Sequence, residues 1–177
     1  MDAIARTITG QAGDPIADFR ITVPANQRSA NLNGFEFNVQ HMFGASGFGV
    51  SANYTLVNSG LKYNNQVRGE QFALEGLSDA ANVVGFYENY GWSVRLAYNW
   101  RDDYLIGLSA AATGIYNSPY TDLSATLRYD FTSNVSLGVE ALNLLDEKQR
   151  TYDGVDEALR TNLFFGRIYK ASVSLKF

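Results

Sequence analysis

The sequence predicts an all-β protein: an antiparallel transmembrane β-barrel of about eight up-and-down strands, either a closed small barrel or a segment of a larger one. Three observations carry that prediction. Apolar and polar residues alternate with a period of two along most of the 177 residues. Short and long connections between the alternating stretches take turns along the chain, as periplasmic turns and extracellular loops do in outer-membrane barrels. The apolar phase of the well-patterned stretches carries no formal charge.

Residues 1–16 read as an N-terminal extension and 17–177 as barrel. In the first strand, 17–23, Phe19, Ile21 and Val23 alternate with Asp18, Arg20 and Thr22. In 33–43, Phe35, Phe37, Val39 and His41 oppose Glu36, Asn38 and Gln40. In 47–57, Phe48, Val50, Ala52, Tyr54 and Leu56 oppose Gly49, Ser51, Asn53 and Thr55. The stretch 82–89, NVVGFYEN, is strand-like with a muddier pattern. In 91–104, Trp92, Val94, Leu96, Tyr98 and Trp100 oppose Ser93, Arg95, Ala97, Asn99 and Arg101. In 120–131, Leu123, Ala125, Leu127, Tyr129 and Phe131 oppose Asp122, Ser124, Thr126, Arg128 and Asp130. In 135–146, Val135, Leu137, Val139 and Ala141 oppose Ser136, Gly138 and Glu140. In the last strand, 164–177, Tyr169, Ala171, Val173, Leu175 and Phe177 oppose Lys170, Ser172, Ser174 and Lys176. The connections 44–46, 89–91 and 132–134 are short, whereas 58–81, 105–119 and 147–163 are long and polar, with 24–32 between them in length.

Composition narrows the function classes. The absence of Cys removes disulfides and thiolate metal sites. The net charge of −4 gives no basic face for nucleic acid. No window approaches the ~18 consecutive apolar residues of a spanning helix. The opening MDAIARTITG shows no basic segment followed by an apolar one, the pattern of a secretory signal. His41 is the only histidine, so a histidine metal site or catalytic triad lacks its usual members, and no cofactor and no enzymatic activity are expected. His41 itself reads as an interfacial ring on the apolar phase. The acidic pairs Asp102-Asp103 and Asp146-Glu147 read as solvated loop charge, with calcium or ligand contact as the sharper alternative. The charged run 146–160 reads as an exposed loop, with a short helix as its alternative.

The direction of the apolar phase distinguishes a membrane barrel from a soluble one. Strands of about 9–13 residues suit a tilted membrane crossing better than the ~5–6 of soluble sheets. Aromatics gather near strand ends, and Tyr87, Tyr90, Trp92, Trp100 and Tyr104 are expected in interfacial girdles. The opposite phase then faces the lumen, where Arg95, Arg128, Asp130, Glu140 and Lys170 are expected as polar lining residues.

Several stretches together resemble a known family. ITVPANQRSANLNGFEFNVQHMF (21–43), with Gly34-Phe35-Glu36, and GFGVSANYTLVNS (47–59), with Asn53-Tyr54-Thr55, are similar to successive strands of the C-terminal third of TonB-dependent outer-membrane receptors. So are GLSDAANVVGFYENYGWSVRLAYNWRDDYL (76–105), VEALNLLDEKQRTY (139–152), with an Asn143-Leu144-Leu145-Asp146 strand, and GRIYKASVSLKF (166–177). The resemblance implies a Gram-negative outer-membrane location and outer-membrane lipid as solvent. It also implies recognition of the alternating set Tyr169, Ala171, Val173, Leu175 and Phe177 by the barrel-assembly machinery. It implies a parent that takes up a scarce large solute, a siderophore, a carbohydrate or similar. Coupling to TonB would run only through a plug domain, which this sequence lacks along with about two thirds of such a barrel. The alternative is a small stand-alone or engineered eight-stranded barrel with a structural role.

Overall fold

A computed structural model of the chain describes residues 3–7, 16–20, 29–67 and 71–177. Every regular element in them is a strand. The short pair β1 (Ala3–Thr7) and β2 (Ile16–Arg20) forms an antiparallel sheet of its own, so the first expected strand begins at residue 16, and 21–23 lie outside the described residues. The long strands β3 (Leu32–Met42), β4 (Phe48–Ser59), β5 (Ala80–Asn89) and β6 (Trp92–Arg101) follow where alternation places them. After β7 (Tyr104–Leu108) and β8 (Gly114–Asn117) come β9 (Tyr120–Asp130) and β10 (Val135–Leu142). The chain closes with β11 (Lys148–Asp153), β12 (Leu159–Phe164) and β13 (Ile168–Leu175).

Seven strands make the main sheet, in the order β13-β10-β9-β6-β5-β4-β3. Its tight turns are built from backbone specialists. Tyr90 and Gly91 both take positive φ (50° and 79°), the geometry that a two-residue hairpin needs to match strand twist. The register carries one apolar face across the whole sheet. Phe37 lies opposite Tyr54, Ala52 opposite Val83, and Val83 opposite Tyr98. Tyr98 then faces Leu123, Leu127 faces Val139, and Val139 faces Ala171. A slip of one residue in any pair would break this continuity, because side chains alternate sides strictly.

That apolar face is uncovered. Phe37 is 59%, Val39 60% and Val173 65% exposed, and many other large apolar side chains of this face are exposed as well. Among the described residues the only buried hydrophobic side chains are Val84 and Leu105. Val84 sits on the opposite, polar face, where Phe86 lies against Gly49; a Cβ on Gly49 would collide with that ring and with the Met42 sulfur. An ordinary soluble sheet buries its apolar side; this one presents it.

The sheet is open. Six antiparallel pairings separate β3 from β13, so the two edge strands run in the same direction. They cannot pair with each other in the antiparallel manner of the rest. Among the described residues the sheet is not closed, as a barrel segment would be, and no pairing joins β2 to β13.

Several sequence expectations need correction. The long connections 105–119 and 147–163 are not plain loops. Each contains a hairpin, β7–β8 and β11–β12, and pairing of β8 with β11 joins them into a four-stranded sheet. The run 146–160 is therefore no helix: it holds β11 and the start of β12, joined by a turn whose residues 155–158 are exposed. The strand expected over 91–104 breaks at Asp102, and that expected over 135–146 stops at Leu142. Asn143 and Asp146 turn into the left-handed region (φ 51° and 57°), so Asn143-Leu144-Leu145-Asp146 is a turn and not a strand.

Candidate functional site

All the long connections emerge from one end of the main sheet, and there they knit together. Asn65, in the connection between β4 and β5, accepts the Gly114 N–H through Oδ1 at 2.8 Å and donates from Nδ2 to the Gly154 carbonyl at 3.2 Å. It thereby ties its loop to both hairpins. The Tyr63 hydroxyl donates to the Ala112 carbonyl, and the Tyr116 hydroxyl donates to the Tyr63 carbonyl at 3.4 Å. Arg101, on the polar phase of β6, reaches Ser78 Oγ at 2.8 Å and the Gly76 carbonyl at 2.7 Å. Polar side chains satisfying loop backbone take the place of an apolar core here.

The knot encloses an open cleft of about 300 Å³, lined by residues from 57–63 and 73–79, the β6–β7 corner and Tyr116 of β8. Three carboxylates belong to its polar lining. Asp79 Oδ1 accepts the Val57 N–H at 2.9 Å, Asp102 Oδ1 accepts the Asp103 N–H at 2.9 Å, and Asp103 Oδ2 accepts the Tyr152 hydroxyl at 3.2 Å. The guanidinium of Arg101 sits 3.8 Å above the Tyr104 ring, and Tyr116 stacks on Tyr152 at 5.3 Å. No cluster of three or more His, Cys, Asp or Glu side chains is arranged to hold a metal ion among the described residues.

Burial pushes the Tyr152 phenol up to about 12, and the Asp103 charge beside it adds to the effect. Tyr116 is raised by the same two causes in the same order. A phenol whose folded pKa exceeds its unfolded value of about 10 contributes stability that is complete below pH 10 and lost as pH rises toward 12. The four-stranded sheet should therefore loosen selectively in that window. Absorbance titration at 295 nm should show late-ionising tyrosines, with the latest lost in Tyr152→Phe. Ionisation of every tyrosine near pH 10 would contradict this arrangement.

The residues singled out from sequence fall in distinct places. Arg95, Arg128, Asp130, Glu140 and Lys170 all lie on the polar face of the main sheet. Arg128 pairs with Asp130 at 2.9 Å and Lys170 with Glu140 at 3.1 Å, while Arg95 makes no ion pair among the described residues. Tyr169, Ala171, Val173 and Leu175 share the apolar face, opposite Ala141, Val139, Leu137 and Val135. Tyr87 packs against Phe48 at 4.6 Å and Trp92 against Tyr129 at 4.4 Å, near the tight-turn end. His41 meets Phe43 edge-on at the same end. Tyr90 is exposed at its turn, and Trp100 stacks with Tyr54 at the other end. Tyr104 stands apart from these bands, in the cleft. Sequence reasoning missed Asn65, Tyr116 and Tyr152, because their roles depend on contacts between residues 49 or more positions apart, which no local period encodes.

The TonB dependent receptor-like, beta-barrel family matches residues 2–144. The chain belongs to that family. No curated protein and no solved structure matches it. As a TonB dependent receptor-like barrel, the chain is an outer-membrane β-barrel protein with a transport-related origin, and its family is one of receptors and not of enzymes. The family match ends just after β10, yet β13 continues the same sheet in register from that strand.

Proposed function

We propose that this chain forms part of the wall of an outer-membrane receptor barrel whose parent takes up a scarce large solute, and that it has no catalytic activity. The observation that carries the reading is the exposed apolar face, in register across seven strands with almost no buried core beneath it. Lipid is the solvent in which such a face is satisfied. The long-connection end then lies outside the cell and the polar face lines the lumen. Coupling to TonB would run through a plug domain of that parent.

The direction of the edges supports a segment over a small closed barrel. Unpaired edges are not tolerated in hydrocarbon. Two edges that run the same way need an odd number of further strands between them, which makes the total even, as single-chain bacterial barrels require. A second copy in the same membrane orientation offers only edges of that same direction.

In detergent micelles the purified chain should hold its β-sheet and migrate on gels in a heat-modifiable way. Good solubility in plain buffer with aggregation in detergent would overturn the membrane reading. The alternating set ending at Phe177 fits the segment read by the barrel-assembly machinery. Removing Phe177 should therefore impair assembly in cells far more than Asp153→Asn, which loosens one exposed pair with Arg160. Equal assembly of the two variants would count against that role.

A further inference from the structure

We infer that the lipid-facing side of β5 carries a binding groove for one acyl chain of a phospholipid from the periplasmic leaflet. The inference rests on the lipid-facing reading above and adds a defined lipid site to it. The groove starts from Gly85, midway along β5 on the apolar face, opposite Val50 and Leu96. Nothing in the fold requires a glycine there. Its φ lies outside the left-handed region, and a Cβ added to it would meet no atom within 4 Å. The other glycines inside main-sheet strands, Gly34, Gly49 and Gly138, are each closed in by atoms of a neighbouring strand. Gly85 instead leaves a notch where a β-branched or aromatic side chain would be favoured. A glycine inside a strand, with no bulge to explain it, marks the close approach of another molecule.

The notch opens a groove of about 290 Å³, walled by Phe43, Phe48, Tyr87, Val94 and Leu96. Its place in the sheet selects the occupant. The groove is continuous with the uncovered apolar face on every side, where Phe48 and Leu96 are exposed. β4, β5 and β6 are interior strands paired on both sides, so no backbone edge is offered to a docking strand. An extended polypeptide lying here would leave its own N–H and C=O groups unpaired in hydrocarbon. An acyl chain carries no such groups. Depth then selects the leaflet. Leu96, opposite Gly85, is midway between Trp92 and Trp100, so the notch begins at the middle of the hydrocarbon layer. From there the groove runs toward the tight turn between β3 and β4, which Phe43 and Phe48 flank. That is the depth of one leaflet, about 15 Å. A chain anchored on the periplasmic side fills it, whereas one anchored on the long-connection side ends where it begins.

The test uses the full chain folded in detergent micelles, with phosphatidylethanolamine as the probe at a low ratio of lipid to chain. Native mass spectrometry should show one phospholipid retained as the micelle is stripped. Gly85→Leu, which fills the notch, should lose it. Ala125→Leu, at the same level on the other side of Leu96, should keep it. Gel migration of both variants should stay heat-modifiable. A second measurement needs no variant. Phosphatidylethanolamine spin-labelled along its acyl chain should broaden the NMR signals of the Val94 methyls more than those of Val139, which lies at the same level two strands away. No retained lipid, loss from both variants or from neither, or equal broadening of the two valines overturns the site and leaves the membrane reading standing. A dimer that Gly85→Leu dissociates would assign the groove to a second copy and overturn it as well. A chain that forms no β-sheet in micelles overturns both readings.

Discussion

Leu96→Arg should cost the chain its membrane fold, whereas Asn53→Arg should leave it intact. Leu96 sits midway along β6 on the apolar face, opposite Gly85 and Ala125. Trp92 and Trp100 each lie four positions from it, so at ~3.3 Å per residue it is about 13 Å from either aromatic end, at the middle of the hydrocarbon layer. An arginine on the lipid face at that depth costs about 2–4 kcal/mol. That corresponds to a loss of roughly 30- to 800-fold in the ratio of folded to unfolded chain. Asn53 lies on the polar face, opposite Asn38 and Asn82, where an added charge is hydrated or meets Glu36 on the neighbouring strand. Folding into lipid vesicles, followed by urea titration, separates the outcomes. In a soluble sheet the same Leu96→Arg change would relieve an exposed apolar patch and raise solubility, so a gain from this variant, or equal behaviour of the two, would refute the assignment of faces.

The main sheet was legible in the sequence because the bilayer imposes its own periodicity. Lipid touches one face of every strand, so each of β3, β4, β6, β9, β10 and β13 wrote the same alternation. The ends of those strands were also written, though in a subtler form. Following the apolar phase toward the long connections, the first strongly polar residue is Asn58 at the end of β4, Asp79 before β5, Asp102 after β6, Asn143 after β10 and Arg167 before β13. Four of these five then bind backbone at that end of the sheet: Asp79 accepts from Val57, Asp102 from Asp103 and Asn143 from Glu147, while Arg167 donates to the Leu144 carbonyl at 2.9 Å. A polar residue on the lipid phase marks the rim, where that phase leaves hydrocarbon. Counting alternation through Asp102 to Tyr104 lost that signal and ran the strand too far.

The four-stranded sheet was not legible, for a different physical reason. Beyond the rim neither face meets lipid, so no single medium enforces a two-residue period. KQRTYD carries charge on both phases and LRTNLF a single Arg160, and their hairpin bulges between Thr151 and Tyr152. What joins β8 to β11 is pairing between residues as far apart as Asn117 and Thr151, and what holds the cleft is side-chain capping of loop backbone. Local pattern reports the first layer of solvent contact and is silent on such long-range polar assembly.

Asn143 is where the two sheets are coupled, and Asn143→Ala should uncouple them. The residue is only 6% exposed, and φ is 51°, a region that asparagine tolerates better than alanine. Its Oδ1 accepts the Glu147 N–H at 2.8 Å, and its Nδ2 donates to the Glu147 carbonyl at 3.1 Å and the Gly166 carbonyl at 3.0 Å. One side chain thus fixes both the strand leaving β10 for β11 and the strand returning from β12 to β13. Alanine removes all three bonds and keeps the strained backbone. At about 1 kcal/mol per bond the loss is about 3 kcal/mol, or roughly 150-fold in local opening. Asn143→Asp keeps the acceptor and loses both donors, so its effect should be intermediate. Asn143→Gly relieves φ but restores no bond, so it should fall close to alanine. Hydrogen exchange at the β11 and β12 amides measures this directly, with β5 and β6 amides as an internal reference that should not change. Uniform acceleration in both sheets would mean that Asn143 supports the whole fold and not the junction. No acceleration in β11 and β12 would mean that the second sheet is held by its β8 pairing alone.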